Sequence, residues 1–204
     1  MAKNMDEKKE CSILGISQTQ TLDDNYLVVL EEEGTDRKLP VVVREREAQY
    51  IALKLEGITG KRILLWDFIE SLGSVHQFSI DQIWIHSVHE GVFYTKVLTV
   101  SNLGSGSVSN REGFELNISV GDALCLACTY GCPILVSSHV LDTYGISLDS
   151  EGNPVGDAPN VPKGGPKVTL ENLQKMLDKA IEEEDYEIAS QIRDKIKAMK
   201  GELE

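Results

Sequence analysis

The stretch Leu39–Gly57, LPVVVREREAQYIALKLEG, constrains this chain more than any other. Its β-branched start (Val41, Val42, Val43) requires a strand, and within a few residues the pattern changes to that of an amphipathic helix. From Glu45 onward Ala48, Ile51, Ala52 and Leu55 recur at i, i+3, i+4 and i+7, which places them on one stripe expected to face a core. Gly57 is placed to close the helix. The remaining faces carry Glu45, Arg46, Glu47, Gln49, Lys54 and Glu56. Such a run is either a solvated face or a set from which site carboxylates are drawn.

The rest of the chain supplies a sheet around that unit. Residues 1–10 read as a disordered, charged leader with no apolar h-region. Cys11–Gln18, Asn25–Glu32 and Lys38–Arg44 read as strands, and Pro40 puts the third at an edge or bulge. A second helix is expected from about Lys61 to Leu72, with Leu64, Leu65, Phe68, Ile69 and Leu72 inward and Gly73 closing it. Val75–Val88 and Val92–Ser101 form a hairpin about His89-Glu90-Gly91, with a bulge near Asp81-Gln82. Asn102–Asn110 is a loop, Phe114–Ile118 a strand, and a third helix runs to Gly131 ahead of a short strand, Pro133–Val136. No regular βαβ repeat occurs. The fold class is therefore α+β, a mixed β-sheet packed with about three helices and followed by a C-terminal helical hairpin.

Four of the six prolines fall between Gly152 and Lys167, a linker composition. Beyond it, Leu170, Leu173, Leu177 and Ala180 repeat at 3-4-3 spacing, as do Ala189, Ile192, Ile196 and Met199, with Asp185 capping the second helix. Two short helices bury too little to stand alone, so this hairpin needs a partner. Its unburied stripe also motivates homo-oligomerisation. The expected organisation is a leader at 1–10, a domain at 11–150, a linker at 151–167 and a hairpin at 168–204.

Charge and cysteine content narrow the chemistry. The net charge is −13, with −4 in residues 151–204 and −9 before them, which disfavours a broad phosphate-coating surface. There is no long apolar run for a membrane span, and a cytoplasmic protein is the expectation. Cys125, Cys128 and Cys132 have a spacing that invites a metal, but they also share one side of a helix, where free cysteine packs as a small hydrophobe. The four histidines form no ligand pair, and no phosphate-cradling loop or nucleophile elbow is present.

Two stretches resemble known families. The tail LQKMLDKAIEEEDYEIASQIRDKIKAMK resembles the UVR motif of bacterial excision-repair nuclease subunits, on Leu173, Leu177, Ala180, Asp185, Tyr186, Glu187, Ala189, Arg193, Asp194 and Ile196. That resemblance implies a protein-docking role. From about Tyr26 to Gly145 the chain resembles the bifunctional nuclease domain family, which acts on DNA and RNA. The resemblance rests on Leu39-Pro40, Glu47-Ala48, Ile51-Ala52-Leu53, Leu55-Glu56-Gly57, Asp67, Leu72-Gly73, Gly91, Phe93-Tyr94, Asp122-Ala123, Ala127 and Gly131 to Pro133. The chain departs from the family's Asp-Ala-Arg-Pro-Ser-Asp-Ala signature, reading Asn117-Ile118-Ser119-Val120-Gly121-Asp122-Ala123. The family's His-Asp in the second helix is Trp66-Asp67 here.

Phosphodiester hydrolysis without a basic surface implies Mg²⁺ or Mn²⁺ held by carboxylates. The catalytic candidates are Glu47, Glu56, Asp67 and Asp122, with Glu47, Asp67 and Asp122 as metal ligands. Glu47 and Glu56 are nine residues apart on one helix, about 13–14 Å, and cannot share an ion within a subunit. Each has a structural alternative. Asp122 follows Ser119 by three residues, as a helix cap does; Glu56 could cap its helix or pair with Lys61 or Arg62; Glu47 could pair with Lys54 or Arg44; Asp67 could be an ordinary surface position. The functional expectation is a metal-dependent nuclease recruited through its hairpin to repair or nucleic-acid complexes. Its alternative is a non-catalytic interaction or regulatory protein on the same scaffold.

Overall fold

A computed structural model describes residues 7–18, 25–60, 63–101, 112–148, 154–155, 170–182 and 184–201. Its sheet has the order β6-β5-β4-β7-β1-β2-β3-β8-β9. The strands are β1 Lys8–Gln18, β2 Asn25–Glu32, β3 Arg37–Arg44, β4 Phe78–His89, β5 Val92–Ser101, β6 Glu112–Ile118, β7 Ile134–Ser137, β8 Ile146–Leu148 and β9 Pro154–Val155. All neighbours are antiparallel except β4 and β7, so the sheet is mixed. The expected α+β class holds.

The helices are α1 Glu45–Leu55, α2 Leu65–His76, α3 Val120–Tyr130, α4 Ser138–Tyr144, α5 Leu170–Glu182 and α6 Tyr186–Gly201. Helix α3 touches the neighbouring strands β4 and β5 and also β3, which β7, β1 and β2 separate from them in the sheet, so the sheet curves around it. That position explains its composition: Ala123, Leu124 and Cys125 are wholly buried. Gly131 takes φ +63 as its C-cap, a conformation that favours glycine.

Several expectations are corrected. Lys8, Lys9 and Glu10 are not leader but pair with β7, while residues 1–6 lie outside the described residues. The Asn102–Asn110 loop and Thr169 also lie outside them. Pro154 and Val155, within the proline-rich stretch, pair with β8. The bulge at Ile80/Gln82 is present, and a second follows at Ile85/Ser87. Pro40 sits where β3 is an edge, because β8 reaches only Arg37 and Lys38.

The largest correction concerns α2, which begins four residues later than expected and contains Gly73 rather than ending there. Its inward face is set by Trp66 and Gly73, the two buried residues. A Cβ on Gly73 would meet the Phe78 carbonyl and the Tyr130 hydroxyl at 2.7 Å, so only glycine allows this approach. The helix is rotated accordingly, leaving Leu65, Phe68, Leu72 and Val75 exposed along one stripe. On α1, Ala48, Ile51 and Ala52 are core as expected, but Leu55 is 44% exposed and Tyr50 is buried instead.

The hairpin does not stand free. Leu173, Ile192 and Ile196 of its stripe are buried in the same apolar cluster as Ile51 and Trp66. Its partner is the domain itself.

Candidate functional site: a junction of three helix starts

Three of the four candidate carboxylates occupy equivalent positions. Glu47, Asp67 and Asp122 are each the third residue of their helix, following N-caps Arg44, Leu64 and Ser119. At that position a carboxylate reaches the orphan donors of the first turn and the positive end of the helix dipole. Glu47 accepts the Arg44 backbone N–H at 2.9 Å, and Asp67 accepts that of Leu64 at 3.3 Å. Asp122 accepts the Ser119 hydroxyl at 2.6 Å, while its own N–H donates to that oxygen at 3.2 Å. Glu47 and Asp67 thus cap their own helices, whereas at the start of α3 the Ser119 hydroxyl is the cap and Asp122 holds it in place.

The junction is tied together by two aromatic rings that the sequence pattern did not mark. Tyr50 and Trp66 lie 4.5 Å apart between centroids. The Tyr50 hydroxyl donates to Asp67 at 2.8 Å, and the Trp66 indole N–H donates to Asp122 at 3.2 Å. Glu47 closes the third side. Its carboxylate lies over Gly121, where any Cβ would overlap it, and its backbone carbonyl accepts the Cys125 thiol at 3.7 Å. One available signal was Trp66 itself, standing where the resemblance calls for histidine. Tyr50 was missed because it falls beside the 48-51-52-55 stripe rather than on it.

Electrostatically the junction is balanced. Asp67, 27% exposed, forms an ion pair with Lys54 at 2.8 Å. Burial pushes the Asp67 carboxyl up, but Lys54, the Tyr50 hydroxyl and the Leu64 N–H together hold it below its ordinary value. Burial pushes the Tyr50 hydroxyl up, which keeps it a neutral donor. Arg46 lies over the Trp66 ring, 5.6 Å from its centroid. The expected Glu47–Lys54 pair is not formed, since Lys54 goes to Asp67 and Glu47 to the Arg44 backbone.

Glu56 stands apart. It is the C-cap of α1, at the opposite end from Glu47, and pairs with Lys195 of α6 at 2.7 Å. Lys61 and Arg62, its expected partners, lie outside the described residues. The separation of Glu47 from Glu56 follows the helix geometry as expected.

Among the described residues no three His, Cys, Asp or Glu side chains are grouped to hold an ion. The cysteines follow the apolar reading. All four are free and at least half-buried, and burial pushes Cys132 up to about 11 and Cys11 and Cys128 up to about 12, so in this packing they are neutral thiols at neutral pH. No helix among the described residues is long and apolar enough to cross a membrane.

Two hollows border the junction on the side of the hairpin. One, about 300 Å³, is lined by Arg46, Gln49, Tyr50 and Trp66 from the domain and by Lys179 and Ile192 from the hairpin. The other, about 190 Å³, holds Lys54 and Asp67 beside Thr59, Gly60 and Ile188.

Comparison with known proteins agrees with both resemblances. The UvrB/uvrC motif matches residues 167–202. Two uncharacterised proteins of Mycobacterium tuberculosis, from strains CDC 1551 and H37Rv, are each 29% identical over 144 residues, covering 71% of this chain and 80% of theirs. The bifunctional nuclease domain matches residues 28–149, more than half of the chain, and the chain belongs to that family.

Proposed function

We propose that this protein hydrolyses phosphodiesters of DNA or RNA at the three-helix junction, in the cytoplasm, and is recruited to repair or nucleic-acid complexes through its UVR hairpin. The observation that carries this reading is the meeting of Asp67 and Asp122 on the Tyr50–Trp66 pair, with Arg46 and Lys54 beside them. Two carboxylates next to two cations can orient a phosphate and the water that attacks it. A Mg²⁺ or Mn²⁺ ion would draw on Asp67 or Asp122, its other positions filled by water, by the substrate phosphate or by a carboxylate from a second copy. Self-association is proposed on the same ground. Its candidate surface is now the exposed α2 stripe of Leu65, Phe68, Leu72 and Val75, since the hairpin stripe is already covered.

The test is cleavage of single- and double-stranded DNA and RNA by the purified chain with Mg²⁺ or Mn²⁺. Activity that is lost in Asp67→Asn and in Asp122→Asn supports the reading. No cleavage of any substrate, or full activity in the double variant, sinks it. Light scattering at tens of micromolar that returns a monomer mass removes the self-association.

One observation favours a second reading, a non-catalytic interaction protein. Every candidate carboxylate already serves the fold as a cap, as the support of one or as an ion-pair partner. Wild-type protein that cleaves nothing but still captures partners through residues 168–204 would establish it.

A further inference from the structure

The α5–α6 hairpin lies against the domain beside α1 and the residues that follow it, and the two sides are matched in charge. Glu45 and Glu56 lie 11 residues apart on α1, three turns, and therefore on one flank. Glu45 receives Lys179 from α5 at 3.0 Å, and Glu56 receives Lys195 from α6 at 2.7 Å. Just beyond α1, the Gln191 amide donates to the Thr59 carbonyl at 2.8 Å and accepts the Thr59 N–H at 3.2 Å. Ile188 lies over Gly60, where a Cβ would meet its Cδ1 at 2.7 Å. Between these contacts Leu173, Ile192 and Ile196 are buried.

The same seam is loosely built. Lys179, Glu45 and Lys195 are 34%, 38% and 42% exposed, so their ion pairs are screened and individually weak. The hollow of about 300 Å³ lies along it, so apolar side chains of the hairpin meet the domain incompletely. An interface of matched charge and incomplete packing is suited to exchange.

We propose that the hairpin is a docking module held closed in cis, with α1 occupying the face that it offers to partners. The partner it fits is an acidic amphipathic helix, one that carries an apolar stripe flanked by two carboxylates three turns apart. Such a helix replaces α1, takes Lys179 and Lys195, and uncovers the Tyr50, Leu53 and Leu64 side of the domain. The inference rests on the proposed docking role of the hairpin and not on the domain being a nuclease.

The test uses the full chain and a labelled peptide of residues 44–60 as the probe. In the Glu45→Lys, Glu56→Lys variant the hairpin keeps its own lysines but loses its cover. The peptide should bind this variant at least tenfold more tightly than it binds the wild type, and amide exchange across α5 and α6 should quicken at least tenfold while α3 stays unchanged. A peptide carrying the same two reversals should not bind. Adding Lys179→Glu and Lys195→Glu should restore slow exchange and abolish peptide binding. Equal peptide affinity for wild type and variant, or failure of the fourfold variant to restore slow exchange, overturns the proposal. Should the double variant not fold, Gly60→Val, which pushes Ile188 off the domain, replaces it under the same two readouts.

Discussion

Two faces of α1 are built from the same kinds of residues and behave differently. On the face toward α3, Glu47 is buried, caps its own helix and lies over Gly121, so its carboxylate is fixed by close packing and by the Arg44 N–H. On the flank toward the hairpin, Glu45 and Glu56 meet Lys179 and Lys195 across a seam with partly exposed ion pairs and a hollow beside it. The first arrangement stores stability in packing and satisfied donors, and the second in contacts that water can replace. A carboxylate is thus part of the scaffold on one face of this helix and part of an exchangeable contact on another.

The sharpest way to break the first half of that comparison is Trp66→Ala. It removes a buried ring that stacks on Tyr50 and donates to Asp122, and should cost about 3–5 kcal/mol in chemical denaturation. Gly121→Ala comes next. The added methyl must displace the Glu47 carboxylate, an overpacking expected to cost about 1–3 kcal/mol. A neutral effect there would show that the Glu47 cap is slack.

Asp67→Asn is smaller and carries a pH signature. The folded-state value of Asp67 is lowered, so its contribution is present above the unfolded value of about 3.9 and is lost as pH falls through the lower folded value. The stability gap between wild type and Asp67→Asn should therefore be widest near neutral pH and shrink below about pH 4. A gap that does not change with pH would mean that Lys54 contributes nothing through charge. Smallest is Lys195→Ala, which removes one exposed ion pair and should cost about 0.2–1 kcal/mol, confined to opening of the hairpin.

The sequence made the regular elements readable where one rule decided them. Strand β2 has the expected bounds because five consecutive apolar residues leave no second period to follow, and Asp185 caps α6 through the Ile188 N–H as its position foretold. It was misleading where a single residue outweighed the pattern. On α2 the leucines suggested one inward face, but the close approach at Gly73 and the stacking of Trp66 turned the helix so that three large apolar residues of that expected face point outward. Helix α4 is too short for its period to show. The candidate carboxylates could be picked out one at a time, but the third-position geometry shared by Glu47, Asp67 and Asp122 emerges only once all three helix starts are fixed. The hairpin's need for cover was legible, whereas the identity of the cover was not, because charge matching between Glu45, Glu56 and two distant lysines has no local signature.

The most direct measurement of the difference between scaffold and seam is segment-resolved amide hydrogen exchange on the unmodified full chain. The account expects amides of α3 to exchange only through global unfolding, while those of α5 and α6 exchange through a local opening at least tenfold more frequent. Equal opening frequencies in α3 and in the hairpin would contradict it, and would make the hairpin as fixed a part of the fold as the junction.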